Sequence, residues 1–159
     1  RLGYGWKLNV QETVIEKTIS GKKYLIYNDS DGTDHYFPLA SGNTYKDEDG
    51  LKLTIVKQAS PLKYTMTDEK GNQKIFQNGF LSSVIDANGN AIHLLYNGAA
   101  YSASGAWYAN TGSTNKLTKI VQINNGVTTP KVIAEFDYEN TSFVHVIKDH
   151  AGRSYRLQS

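Results

Sequence analysis

Apolar and polar positions alternate along most of this chain with the period of a β-strand. The stretch from Gly79 to Tyr96, GFLSSVIDANGNAIHLLY, sets the pattern: two β-rich runs, FLSSVI and AIHLLY, flank the turn tetrapeptide DANG. Leu51, Leu53 and Ile55 share one face of Leu51–Val56 while Lys52 and Thr54 take the other, which predicts a half-buried strand. Further strands are predicted at Trp6–Val10, Thr13–Ile19, Tyr24–Tyr27, His35–Phe37, Tyr64–Thr67, Gln73–Phe76, Leu117–Ile123, Val132–Tyr138, Phe143–Ile147 and Tyr155–Leu157. Pro38 and the polar run 41–45 are predicted to end a unit, because proline cannot donate to a central ladder. No apolar stripe at helical spacing persists between caps, so little or no helix is expected.

The turn of the first hairpin recurs. Asp86–Gly89 (DANG) is joined by Asp29–Gly32 (DSDG), Asp47–Gly50 (DEDG), Asp68–Gly71 (DEKG) and Asp149–Gly152 (DHAG). Aspartate suits the first corner of a type I turn, where its carboxylate accepts from nearby backbone N–H groups. Glycine three residues later takes the positive φ that starts the return strand. Five copies in 159 residues predict repeated hairpins. The expected fold is all-β: antiparallel hairpin repeats in a twisted sheet, flat or curved, or a partial β-shell. By length the chain is expected to be one segment, 1–159. Beginning at Arg1 with sequence that already looks folded, it is expected to be a piece of a larger repeat protein.

Composition narrows the function. Eleven Tyr and five Phe beside fourteen Gly and three Pro suit sheets with a face toward water or a wet cavity. Seventeen basic and fifteen acidic residues are scattered, which leaves no basic footprint for nucleic acid or for an anionic membrane. No apolar run approaches the roughly 20 residues that a spanning helix needs, so membrane insertion is not expected. The absence of cysteine removes disulfides, thiolate metal sites and a thiol nucleophile.

These residues together resemble a known family. Gly79, Leu81, Val84, Asp86, Gly89, Asn90 and Tyr96 occupy positions of the pattern G-x-L-x-x-I-x-D-x-x-G-N-x-x-x-Y-x-Y, and the stretch resembles the YD repeat of bacterial Rhs proteins, wall-associated surface proteins and animal teneurins. A looser copy runs from Phe136-Asp137-Tyr138 through Phe143, Ile147, Asp149, Gly152 and Arg153 to Tyr155. LTKI at 117–120 begins another unit, with Asn124-Asn125-Gly126 where D-x-x-G would stand, and LGYGWKLN is similar to the segment preceding the repeats in Rhs proteins. The units are irregular in length, and an Ala/Ser/Gly-rich insert interrupts one of them. The resemblance implies a ribbon of hairpins around a hollow interior, in a secreted or cell-surface protein. Its implied partners are other repeats of the same parent chain and an enclosed C-terminal toxin domain.

Candidate chemistry is sparse. His35, His93, His145 and His150 show no H-x-H or H-x-x-x-H spacing, and structural roles are expected for them. The carboxylates of DSDG and DEDG make only a fragment of a calcium loop, and turn formation accounts for them. Glu135 and Asp137, about 7 Å apart on one strand face, are the one pair of note for glycoside chemistry, and no nucleophile, phosphate-loop or metalloprotease motif accompanies them. A non-enzyme with neither cofactor nor metal is expected. The long insert 97–115 carries Tyr101, Trp107 and Tyr108, which form the candidate glycan-binding surface of a surface adhesin, the competing reading. The alternative for Trp107 is burial over an open sheet edge. Exposed strand edges also predict edge-to-edge self-association.

Overall fold

A computed structural model of the chain describes residues 12–59, 62–103, 116–138, 144–149 and 154–155. Its strands are antiparallel throughout, and no helix occurs among the described residues. The chain divides into two compact units, residues 1–87 and 88–159.

The first unit is an up-and-down meander of eight strands: β1 (Thr13–Ile19), β2 (Lys22–Asn28), β3 (Asp34–Ser41), β4 (Thr44–Lys46), β5 (Thr54–Gln58), β6 (Lys63–Thr67), β7 (Gln73–Gln77) and β8 (Phe80–Ile85). Each strand pairs with its sequence neighbours, and the sheet closes on itself where Thr13 of β1 meets Phe80 of β8. The Val14 N–H donates to the Gly79 carbonyl at 3.0 Å beside that pair. The expected curved sheet is therefore an eight-stranded barrel in this unit, and closure removes the edges that an open sheet would expose.

Directly opposed residues in antiparallel strands share a face, so the registers trace the barrel's inner wall. One row runs Glu16, Leu25, Phe37; another runs Val14, Tyr27, His35. A third runs Leu39, Tyr45, Ile55, Met66, Lys74, and a fourth Lys57, Tyr64, Phe76, Leu81. The middle is apolar and closed: Val14, Leu25, Phe37, Ile55, Phe76 and Leu81 have no accessible surface. An eight-stranded barrel is just wide enough for such side chains to fill.

Residues 80–85 depart from simple alternation, since Leu81, Ser82, Ser83 and Val84 are all buried. The β7–β8 register shifts between Ile75 and Phe76, so Leu81 opposes Phe76 and Val84 opposes Lys74. The bulge puts both apolar residues on the inner face, and the Ser82 hydroxyl donates to the Ile75 carbonyl at 3.0 Å. Two small hydroxyl residues thus accommodate the extra residue, and Ser82 satisfies a carbonyl of the neighbouring strand.

β3 continues through Pro38, which opposes Tyr24, although proline was expected to end the unit. A register shift between Leu39 and Ser41 follows immediately, and bulges are among the positions where a strand tolerates a missing N–H. The polar run beyond it contributes the short strand β4. Leu51 and Leu53, expected in a strand, lie in the β4–β5 connection instead, where Lys52 takes φ +59°.

The second unit holds β9 (Ala91–Tyr96), β10 (Leu117–Ile123), β11 (Lys131–Tyr138), β12 (Val144–Asp149) and β13 (Ser154–Tyr155), each antiparallel to the next. Every side chain of β9 is buried. The Asn124–Val127 turn closes with the Val127 N–H on the Asn124 carbonyl at 2.9 Å. Its Asn125 lies against the residues around Gly89: the Asn125 N–H donates to Asn90 Oδ1 at 3.0 Å and Nδ2 donates to the Asn88 carbonyl at 2.9 Å.

Candidate functional site

In a meander, alternate connections emerge at the same end. The β2–β3, β4–β5 and β6–β7 connections carry Asp29–Gly32, Asp47–Gly50 and Asp68–Gly71, so these three Asp-Gly segments gather at one mouth of the barrel. Two of them share one geometry. In each, the glycine N–H donates to the aspartate carbonyl, at 3.0 Å for Gly32 and 3.2 Å for Gly71. Asp29 Oδ1 accepts from the N–H groups of Asp31 and Thr33, each at 2.9 Å, and Asp68 Oδ1 from those of Lys70 and Asn72, each at 2.9 Å. The glycines take φ +81° and +90°, as the turn type requires.

The Asp47 segment is a wider loop. Its carboxylate reaches forward to the N–H groups of Leu51 at 2.6 Å and Leu53 at 2.9 Å, with Gly50 at φ +75°. The same residue type therefore organises a longer connection by the same means, a carboxylate collecting backbone donors. Gly89 of the fourth segment takes φ +85°. Asp149 ends β12, while Gly152 lies outside the described residues.

Below this mouth the barrel interior is charged. Glu12, immediately before β1, has no accessible surface. Its Oε1 accepts from the Tyr27 hydroxyl and from Lys74 Nζ, the latter at 2.8 Å, and Lys74 Nζ also lies 3.3 Å from the Tyr27 oxygen. Among the described residues Glu12 Oε2 has no hydrogen-bond partner. Burial, then the neighbouring Glu12 charge, push the Tyr27 phenol well above its ordinary range, so it stays protonated and donates.

The Tyr27 ring stacks on His35, with centroids 5.8 Å apart. His35 Nε2 lies 2.6 Å from Asp29 Oδ2 and Nδ1 lies 3.1 Å from Asp49 Oδ2. Burial alone would lower the His35 pKa, but the two carboxylates outweigh it and raise it above 6.5. Asp29 is held below its ordinary 3.8, chiefly by the His35 hydrogen bond.

A cavity of about 260 Å³ opens among these groups, lined by Tyr27, Leu53, Met66, Asp68, Asn72, Gln73 and Lys74. Apolar walls from Leu53 and Met66 meet an ammonium, a carboxylate and two amides. Lys74 is already paired with Glu12, so the cavity offers no uncompensated positive charge to an anion. A smaller cleft of about 100 Å³ at the far end of the barrel is bordered by Glu16, Lys17, Lys23, Tyr45 and Lys57. Glu16 and Lys57 form an ion pair there, whose hydrogen bond holds the Glu16 carboxyl low and the Lys57 ammonium high. Val14 of β1 thus lies between two charged ends, Glu12 just before the strand and Glu16 within it.

Neither a family model nor a curated protein matches this chain. Its chemistry is therefore read from its own residues. Among the described residues no group of three or more His, Asp or Glu side chains is placed to hold a metal ion.

Tyr101 belongs to the second unit, packed against Leu95 and Val121 and tilted over His93 at 5.3 Å; Trp107 and Tyr108 lie outside the described residues. Burial lowers the His93 pKa to about 4, so its ring is neutral. Of the carboxylate pair on β11, Glu135 faces Lys119 at 4.0 Å. Sequence reasoning missed Glu12, Tyr27 and Lys74 as a group, because 62 residues separate Glu12 from Lys74 and no local pattern links them.

Proposed function

We propose that this chain is a non-catalytic structural segment of the YD-repeat kind, contributing hairpins to the shell or stalk of a secreted or cell-surface protein that encloses a toxin domain. The observation that supports this reading is the recurrence of one turn device, a carboxylate gathering backbone N–H groups ahead of a positive-φ glycine, at every second connection of the β1–β8 meander. A period of two strands per turn motif is what a ribbon of repeated hairpins requires. The filled barrel interior leaves no room for a folded cargo, so an enclosing role falls to many hairpins acting together. Electron microscopy of the full gene product that carries these residues tests the reading. A hollow particle walled by hairpins is expected; a compact particle with no lumen and no repeat would overturn it.

The competing glycan-binding reading rests on Tyr101, a partly buried ring packed against Leu95 and Val121 and beside His93, and on Trp107 and Tyr108. Tryptophan fluorescence titration with surface polysaccharides separates the two readings, and a saturable response removed by Trp107→Ala would favour the glycan module.

A further inference from the structure

We propose that His35, held between Asp29 and Asp49, is a pH-responsive clasp that fastens the 47–53 loop to the Asp29 turn and so sets the opening of the barrel mouth. A neutral imidazole has one N–H and one lone pair, so with a carboxylate oxygen at each ring nitrogen one contact would set lone pair against lone pair. Only the imidazolium donates at both Nε2 and Nδ1. His35 belongs to β3, Asp29 to the β2–β3 turn and Asp49 to the β4–β5 loop. Its charge state therefore ties one loop to another, and the side chain is shielded enough, at 14% exposure, for the ties to count.

The loop has other anchors, and they hold different places. Leu51 and Leu53 are fixed by Asp47, and the Glu48 N–H reaches the Tyr36 carbonyl at 3.3 Å. Lys52 lies 3.6 Å from Glu69, but both side chains are about two-thirds exposed, and such pairs contribute little. The tip at Asp49 is reached by His35. Leu53 lines the cavity, as does Tyr27 beneath the His35 ring, so releasing the tip loosens one wall of the mouth.

The charges around His35 set the working range. Asp29 and Asp49 face its two nitrogens, whereas Asp34, the preceding residue of β3, lies on the opposite strand face and accepts from Asn28 Nδ2 at 2.8 Å. On the β2 side lies the protonated Tyr27 phenol, with Glu12 and Lys74 paired behind it. In the loop, the Asp47 carboxylate is occupied by the Leu51 and Leu53 N–H groups, which leaves Asp49 as the loop carboxylate on the ring. This surrounding is acidic and favours the imidazolium. Because the folded-state pKa lies above 6.5, the clasp is fully present below 6.5 and is lost as pH rises through the higher folded value. Asp29, held below 3.8, keeps its charge into acid and loses the contact only there. The clasp is therefore fastened in mild acid and released as pH rises above the ordinary histidine range.

The test is a pH titration of the whole chain, following the His35 ring nitrogens by long-range ¹H–¹⁵N NMR and hydrogen exchange at Gly50–Leu53. The expected His35 midpoint is above 6.5, and Asp49→Asn should lower it. Corrected for intrinsic rates, loop exchange should rise with pH by about tenfold for each unit by which the His35 pKa is raised. His35→Gln should remove that pH dependence without altering exchange in β6 and β7. A midpoint at or below 6.5, no response to Asp49→Asn, or loop exchange independent of pH would each overturn the clasp.

Discussion

At the scale of single residues, the most demanding position is Glu12, a carboxylate with no accessible surface that depends on Lys74 and Tyr27 for compensation. A buried ion pair adds little net stability against an apolar replacement of both partners, but breaking one partner leaves an uncompensated charge. Lys74→Met should therefore destabilise by about 3–5 kcal/mol in urea denaturation, whereas Glu12→Gln combined with Lys74→Met should recover a large part of that loss. Equal losses in the single and double variants would mean that Lys74 acts through its stem and not its charge. Nothing in the sequence announced this pair. Glu12 reads as one polar residue before a strand and Lys74 as one of many lysines, and their meeting depends on how the whole barrel closes. The Asp and Gly positions were legible because their chemistry is local: a carboxylate and the N–H groups it serves lie within a few residues of one another.

At the scale of elements, the turns and β9 carry opposite charge logic. Asp68 is partly buried, which disfavours its charge, yet the hydrogen bonds from Asn72, Lys70 and Gly71 together hold its pKa below 3.8. Its contribution is present above 3.8 and is lost as pH falls through the folded value. Asp68→Ala should cost about 1 kcal/mol near neutrality and progressively less in acid, measured as denaturation midpoints across pH. His93 behaves in the other sense from His35. Its folded pKa is lowered from 6.5 to about 4, so the neutral ring is compatible with the fold above 6.5 and stability declines as pH falls toward 4. His93→Leu should flatten this acid limb; an unchanged limb would place the sensitivity elsewhere. Strand positions were largely readable from period two. Two failures have physical causes. Leu51 and Leu53 alternate like a strand, but Asp47 captures their N–H groups and holds them in a loop. The LSSV run reads as a buried strand, while its register shift appears only when the neighbour's carbonyl is seen to need Ser82.

At the scale of the whole barrel, closure rests on a narrow seam. Gly79 takes φ +87°, and a Cβ there would lie 3.1 Å from the Val14 carbonyl oxygen, the same Val14 whose N–H donates to Gly79. Gly79→Ala should destabilise by roughly 1–3 kcal/mol and raise hydrogen exchange at Val14 more than at β5 or β6. Uniform exchange changes across the barrel would show that the strain is not localised at the seam. Closure itself was not legible, because each hairpin predicts its neighbour and none predicts which strand meets the first. The expected fold of antiparallel hairpins is present; the ring they form is a property of eight strands together.

That seam has a kinetic consequence. Every other pairing in β1–β8 joins strands adjacent in sequence, so those contacts form at low loop-closure cost, whereas the seam and the Glu12–Lys74 pair, 62 residues apart, require the ends of the meander to meet. Ring closure should thus come late, after the folding barrier is crossed. Seam substitutions would then act on the unfolding limb of a chevron and leave the folding limb nearly unmoved. The lifetime of the native barrel, more than the speed at which it is reached, depends on the short contact where its last strand finds its first.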